Sequence, residues 1–272
     1  MNQISMGIIG MGKMGEAIAH GLANSTQRKG SRDFSIMGST KTPESARLAS
    51  KRLGIKVATD NRVIVEGAKV LLLCVKPHQA KTVLQEVSDL LRSDQLIISI
   101  VASLSTQQIS EWSGSRAPVI RAMPNTPCLI GEGMTVLTAG GGVKPAQIVV
   151  AEKIFGPLGR TAVVEESLMD GVTGLSGCGP AYVYLIIEAL SEAGVKVGLP
   201  RNTATLLAAQ TLSGAAKMVL QRGEHPAALK DEVTTPGGCT IDGLMALEEG
   251  KLRATLIRAV LAATGRSKTL QK

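Results

Sequence analysis

The stretch that most restricts this chain is "IIGMGKMGEAI", Ile8 to Ile18. A short apolar run, Ser5–Ile9, ends in glycines spaced G-x-G-x-x-G (Gly10, Gly12, Gly15), and a segment of helical spacing, Glu16–Ala23, follows at once. In a strand that turns into a helix this way, the first glycine permits a tight turn and the second lets backbone approach a pyrophosphate. The third lets the helix pack closely on the strand. The helix N-terminus then offers unpaired N–H groups and a partial positive charge to phosphates. The motif in this position predicts a dinucleotide site.

The chain beyond it supplies the rest of such a fold. Phe34–Met37, Val70–Val75, Leu96–Val101 and Val119–Arg121 read as strands, alternating with helical segments over Pro43–Leu53, His78–Leu91 and Thr106–Trp112. That alternation predicts a doubly wound parallel sheet with crossover helices on both faces, an α/β architecture. Met134–Thr138 and Thr161–Val164 extend the sheet around a helix at Pro145–Ile154. After about Glu165 the chain turns to Ala, Leu and Gly at helical spacing, which predicts an all-helical C-terminal domain over 166–272 beside a dinucleotide-binding domain over 1–165. Within it, Thr205–Leu220 is small or aliphatic almost all round, and such a helix needs partners on both sides. Close packing of small residues across a symmetric homodimer is the favoured explanation.

Composition limits the function classes. A formal charge of +8 on 272 residues would suit a nucleic-acid binder, but aromatics for base stacking are only 2% and the cations are scattered, so no nucleic acid is expected. No uninterrupted apolar run reaches membrane-spanning length, and the N-terminus lacks a basic-then-apolar leader pattern; no membrane partner is expected. Cys74, Cys128, Cys178 and Cys239 lie far apart without a CxxC pair, which suits a reducing cytoplasm and predicts no metal site.

The second strand ends in Ser39-Thr40-Lys41-Thr42, with no acid until Glu44. An NAD site usually places Asp or Glu there for the ribose hydroxyl, whereas hydroxyls and an ammonium suit a 2′-phosphate. NADPH is therefore favoured, with NADH as the alternative. At the end of "LLLCVKP", Val75 and Lys76 are candidates to line the nicotinamide-ribose cleft, and Lys76 reads equally as a solvated loop residue.

Two glycine-rich stretches precede helices in the second half: "TGLSGCGPAY" (173–182) and "TTPGGCTIDGL" (234–244). In the latter, Thr240 sits where an N-cap belongs, and Gly237 and Gly238 can bare their N–H groups to a small carboxylate. Asp242 in the first turn opposes that anion. His20, His78 and His225 are isolated, and no Ser-His-Asp or metal-ligand arrangement can be read from the spacing. Hydride delivery to an already electrophilic C=N bond is consistent with that, since it needs positioning more than proton chemistry.

The segments "GMGKMG", "VKP" (75–77), "RAMPNTP" (121–127), "TGLSGCGPAY", "GEHPAALKDEVTTPGG" (223–238) and "CTIDGL" (239–244) together resemble the pyrroline-5-carboxylate reductase family. The resemblance implies a Rossmann domain followed by a helical dimerisation domain, with dimers commonly assembled into decamers. It also implies reduction of L-1-pyrroline-5-carboxylate to L-proline by NADPH or NADH. Carried over by motif, cofactor contacts fall on Gly10, Met11, Gly12, Lys13, Met14, Ser39, Thr40, Asn61, Cys74, Val75, Lys76, Pro77, Val101 and Ala102. Substrate contacts fall on Glu166, Glu224, Cys239 and Thr240, with Thr240 the catalytic candidate and the imine proton drawn from it or from solvent. The resemblance further implies a composite site using elements of both subunits. Many relatives carry Ser at the position of Cys178 and Thr or Ala at that of Cys239, and a thiol is the weaker donor.

Two rival readings remain. A β-hydroxyacid dehydrogenase is similar in joining a G-x-G-x-M-G domain to a helical one, but such enzymes carry a catalytic Lys early on the first long helix of the second domain. Here "PAYVYLIIEALSEAGVK" has none until Lys196. A non-catalytic NADP-sensing regulator would not need intact substrate loops.

Overall fold

Every apolar run expected as a strand takes a place in one sheet. The computed structural model describes residues 3–29 and 33–270. The chain divides into two compact units, one running through Gly177 and regaining the chain from Ala263 onward, the other Cys178–Ala262. In order, the first holds β1 (Ile4–Ile9), α1 (Lys13–Lys29), β2 (Phe34–Ser39), α2 (Pro43–Leu53), β3 (Lys56–Ala58), α3 (Asn61–Gly67), β4 (Val70–Leu73) and α4 (Pro77–Val87). It continues with β5 (Leu96–Ser99), α5 (Thr106–Trp112), β6 (Val119–Met123), β7 (Gly133–Ala139), α6 (Pro145–Phe155), β8 (Gly159–Val163) and the short α7 (Met169–Val172).

The strand order is β3-β2-β1-β4-β5-β6-β7-β8. The chain winds outward from β1 to β3 and then returns to lay β4 on the other side of β1, so the winding reverses between β1 and β4. Ligands of open α/β sheets bind at that reversal, beyond the carboxyl ends of the strands. The strand of the sequence "VLLL" is buried on both faces, as a central parallel strand must be. Its side chains alternate between two cores. Leu72 packs with Met6, Ile8, Ile18 and Ile98 on one face, and Leu71 and Leu73 with Ile9, Ile64, Leu84 and Ile97 on the other.

The expected parallel sheet holds except at one pairing: β7 runs antiparallel to β6, with Met123 opposite Val136. The connection between them is only a short 3₁₀ segment, Thr126–Ile130, and a parallel return needs a crossover of about a dozen residues or more. The short β3 and α3 add to the elements expected, while β4 and β5 stop short of Val75 and Val101.

The second unit is helical: α8 (Gly179–Lys196), α9 (Arg201–Arg222), α10 (Pro226–Glu232), α11 (Cys239–Glu249) and α12 (Leu252–Thr269), whose last turns belong to the first unit. In this unit the helices carry large exposed apolar side chains, among them Leu185 at 66% and Leu206 at 68% exposure. Of α9, only Ala204 and Ala208 are buried. Among the described residues no helix is long and apolar enough to cross a membrane. The segment Thr173–Gly177, part of the first glycine-rich stretch that precedes a helix, is itself a π-helical turn. Its Thr173 Oγ1 donates to the Met169 carbonyl at 2.9 Å and Ser176 Oγ to that of Val172 at 3.3 Å, hydroxyls bonding back along the helix.

Candidate active site

The turn after β1 is built from three glycines with three different surroundings. Gly10 takes φ +96°, and a Cβ there would lie 2.9 Å from Val75 Cγ1 and 3.0 Å from the Cys74 backbone, so β1 and β4 meet through it. A Cβ on Gly15 would lie 2.5 Å from the Gly10 carbonyl oxygen, which ties the first turn of α1 to the strand. Around Gly12 a Cβ would meet nothing within 4 Å. The open glycine at the start of α1 fits the close approach of a pyrophosphate, and the first-turn N–H groups of Lys13 and Met14 have no helical carbonyl to bond. The N–H groups of Gly10 and Met11 are already used, both donating to the Ser39 carbonyl, at 3.2 and 2.8 Å. The Met11 side chain is buried.

At the end of β2, Ser39 is buried and its Oγ donates to Asn61 Oδ1 at 2.7 Å; Asn61 Nδ2 in turn reaches Glu86 Oε2 at 3.1 Å. Thr40 is half-buried and Lys41 exposed. Thr42 caps α2, accepting from the Ser45 N–H at 3.2 Å. Along the chain, the residues after β2 thus carry hydroxyl and ammonium chemistry and no carboxylate before Glu44, while the exposed Glu86 carboxylate reaches the corner through Asn61.

At the end of β4, Cys74 N–H donates to the Ile9 carbonyl at 2.8 Å. Cys74 is half-buried, and burial pushes its thiol up, which favours the protonated S–H form. Lys76 is the N-cap of α4 and Pro77 its first residue. After β5, the Val101 N–H donates to the buried Ser99 Oγ at 3.2 Å, and Ala102 is half-buried.

In the second unit, Gly237 takes φ +67° and Gly238 N–H closes onto the Thr235 carbonyl at 3.0 Å. Thr240 does not cap α11, contrary to the sequence expectation. Gly238, extended at φ −81° and ψ 164°, is the N-cap and contributes no side-chain bond. The left-handed glycine reverses the chain early enough for the helix to start at Cys239, which moves Thr240 inside the first turn. The first-turn N–H groups of Cys239 and Thr240 therefore have no capping side chain, an arrangement that favours an anion. Cys239 is exposed and Thr240 half-buried. Glu224 is held by Arg222, Nε to Oε1 at 2.8 Å, and the same guanidinium grips Glu232 with both Nη atoms at 2.6 and 2.7 Å. Those bonds hold the Glu232 carboxyl below its usual range.

Glu166, expected at the substrate, spends its carboxylate inside the first unit. Oε1 accepts from the Thr106 N–H at 2.7 Å and Oε2 from the Thr106 hydroxyl at 2.6 Å. Arg121 Nη1 lies 3.7 Å from Oε1, and that guanidinium is 2% exposed. Burial pulls the Arg121 pKa down, and the charges of Glu166 and Asp170 pull it back. Asparagine 125 links three segments of the same unit: Nδ2 donates to the Ser176 carbonyl at 3.1 Å, and Oδ1 accepts from the Met134 N–H at 2.9 Å. Sequence reasoning quoted "RAMPNTP" but gave Arg121 and Asn125 no role. The signal was a lone Arg in an apolar strand, a position that demands a buried partner.

A glycine turn at the winding reversal of a mostly parallel sheet, a turn after β2 whose own residues carry hydroxyls and an ammonium, and a helical second unit define an NADP-dependent oxidoreductase of the Rossmann type. The family model "Pyrroline-5-carboxylate reductase dimerisation" matches residues 166–270, and a model described as "NADP oxidoreductase coenzyme F420-dependent" matches residues 5–103. The chain belongs to the pyrroline-5-carboxylate reductase family. It is 41% identical over 266 residues to the pyrroline-5-carboxylate reductase of Pisum sativum, covering 98% of this chain and 96% of the relative. Its fold matches a pyrroline-5-carboxylate reductase from Coxiella burnetii with a TM-score of 0.92 at 37% identity, covering 100% of both chains. A pyrroline carboxylate reductase of Plasmodium falciparum, solved with NADP bound, matches with a TM-score of 0.87 at 34% identity, again covering 100% of both. A prephenate dehydrogenase from A. aeolicus, at 14% identity and a TM-score of 0.57, shares the fold alone.

Proposed function

We infer that this chain reduces the C=N bond of L-1-pyrroline-5-carboxylate to give L-proline, the last step of proline biosynthesis, with NADPH as coenzyme. The observation that carries the reading is full-length similarity to pyrroline-5-carboxylate reductases, together with the glycine turn whose open member fits a pyrophosphate. The bound coenzyme supplies the hydride. The residues we assign to holding it are Gly10 to Met14 at the pyrophosphate, Ser39, Thr40 and Lys41 with Asn61 at the 2′-phosphate, and Cys74 to Pro77 with Val101 and Ala102 at the nicotinamide end. Ser39 acts there through its bond to Asn61, and Thr40 and Lys41 offer the exposed donors.

The substrate brings a carboxylate, and we assign that group to the bared first-turn N–H groups of Cys239 and Thr240, with the backbone of Gly237 and Gly238 forming the turn that presents them. The Thr240 hydroxyl orients the ring, and Glu224, fixed by Arg222, faces the cationic iminium form. Glu166, already engaged by Thr106, is not among the groups we assign to the substrate. Acceleration then comes chiefly from alignment of the two partners. No thiolate is needed, in keeping with the raised pKa of Cys74.

We also propose that the working form is a homodimer in the cytoplasm, with decamers as the larger assembly that the family likeness suggests. The family model over the second half is a dimerisation model, and the apolar faces of the helical unit suit a second copy. The test of the substrate assignment is Thr240→Ala. Its kcat/KM for the imine should fall about ten-fold or more while the NADPH dissociation constant stays within about two-fold, as expected for loss of one substrate-facing hydrogen bond. Normal turnover in that variant removes Thr240 from the mechanism.

A further inference from the structure

Arg121 is a costly residue for a strand interior. Its guanidinium is almost wholly buried, its Nη2 has no hydrogen-bond partner among the described residues, and the Glu166 oxygen of its ion pair stands at 3.7 Å, beyond hydrogen-bond length. A buried ion pair is weak evidence of a contribution to stability, since apolar side chains of similar volume often serve a fold as well or better. The arrangement it maintains is therefore the better explanation for its presence than stability.

That arrangement includes the bond set of Glu166. Glu166, beside Arg121, fastens both the N–H and the hydroxyl of Thr106, and Thr106 is the first residue after the loop that joins β5 to α5. The loop is pinned at its other end by Ser99, whose Oγ accepts from Val101 N–H. Between the two pins, the buried Ser103 is held at φ +62°, a left-handed conformation that a serine adopts only when its surroundings impose it. Asp170, whose charge also raises the Arg121 pKa, accepts from Ser267 Oγ at 2.7 Å, so a second anchored carboxylate acts on the guanidinium.

We propose that Arg121 and Glu166 are positioning residues for the nicotinamide end of the cofactor: the guanidinium orients the Glu166 carboxylate, the carboxylate locks Thr106, and Thr106 holds the loop that presents Val101 and Ala102. The inference rests on the assignment of those two residues to the cofactor. It gives Glu166 a task at one remove from the reacting atoms, in place of substrate contact.

The test compares two ligands on the full-length protein by titration calorimetry: NADPH, and adenosine 2′,5′-bisphosphate, which lacks the nicotinamide. Thr106→Val keeps the shape and deletes one bond to Glu166; Glu166→Gln removes the charge. Each should weaken NADPH about ten-fold, the worth of a charge-assisted hydrogen bond, and leave the bisphosphate within about two-fold. Thr106→Ser should restore NADPH binding. Equal weakening of both ligands, or no weakening of either, overturns the proposal. Ala102→Leu separates the two levels of failure. If it weakens NADPH while Thr106→Val and Glu166→Gln do not, the positioning role alone falls. If it has no effect, the placement of the nicotinamide end falls and takes the positioning role with it.

Discussion

Gly10 and Gly12 stand two residues apart and should respond oppositely to the same methyl group. Gly10→Ala forces an L side chain into φ +96° and against Val75 and Cys74, so the apo protein should lose more than about 1–2 kcal/mol of stability. Gly12 has no positive φ and nothing around its Cβ direction. Gly12→Ala should leave the apo thermal midpoint nearly unchanged, within about 1 kcal/mol, yet weaken NADPH by filling the space a pyrophosphate needs. Denaturation curves and NADPH titrations of the two variants check this, and a Gly12→Ala protein that binds NADPH normally would mean the phosphates lie elsewhere. At this scale the glycine turn was legible because its chemistry is local, three residue types at fixed spacing. Arg121 was not, because its meaning depends on Glu166 and Thr106, which are sixty residues apart in the chain and meet only in the fold.

The elements show the same division. Strands and helices with a full period of apolar residues could be read from sequence, and the parallel sheet with them. The three residues of β3 and seven of α3 are too short to display a period. The direction of β7 is not written in its alternation, which looks the same both ways; only the short connection before it carried the signal. At the start of α11, backbone geometry at Gly237 and Gly238 decided the N-cap, and the preference of Thr for that position did not. The corner after β2 carries the coenzyme choice. Reversing its exposed cation with Lys41→Glu places a negative charge near the expected 2′-phosphate. The ratio of NADPH to NADH affinity should then drop about ten-fold, with NADH nearly unaffected. Affinities measured for both coenzymes decide it, and an unchanged ratio would take Lys41 out of coenzyme selection.

For the whole molecule, the helical unit offers large apolar side chains on α8 and α9 that a lone chain leaves in water, more than solitary soluble proteins usually tolerate. Sequence showed this as a helix apolar on every side, but not which residues would be exposed. Leu206→Glu puts a charge among these exposed side chains and should shift the mass measured by light scattering towards that of a single chain, with loss of activity; an unshifted mass would place the contact between copies on another surface. In the proposed reaction hydrogen passes from reduced nicotinamide to the imine carbon of a five-membered ring carrying a carboxylate. Incubation of the enzyme with L-1-pyrroline-5-carboxylate and NADPH deuterated at the reactive carbon of the nicotinamide, on the face that is transferred, followed by mass spectrometry of the amino acid formed, tests it directly. Proline with a single deuterium at the former imine carbon is expected when one of the two face-labelled coenzymes is used. Unlabelled proline from both, or no proline at all, would contradict it.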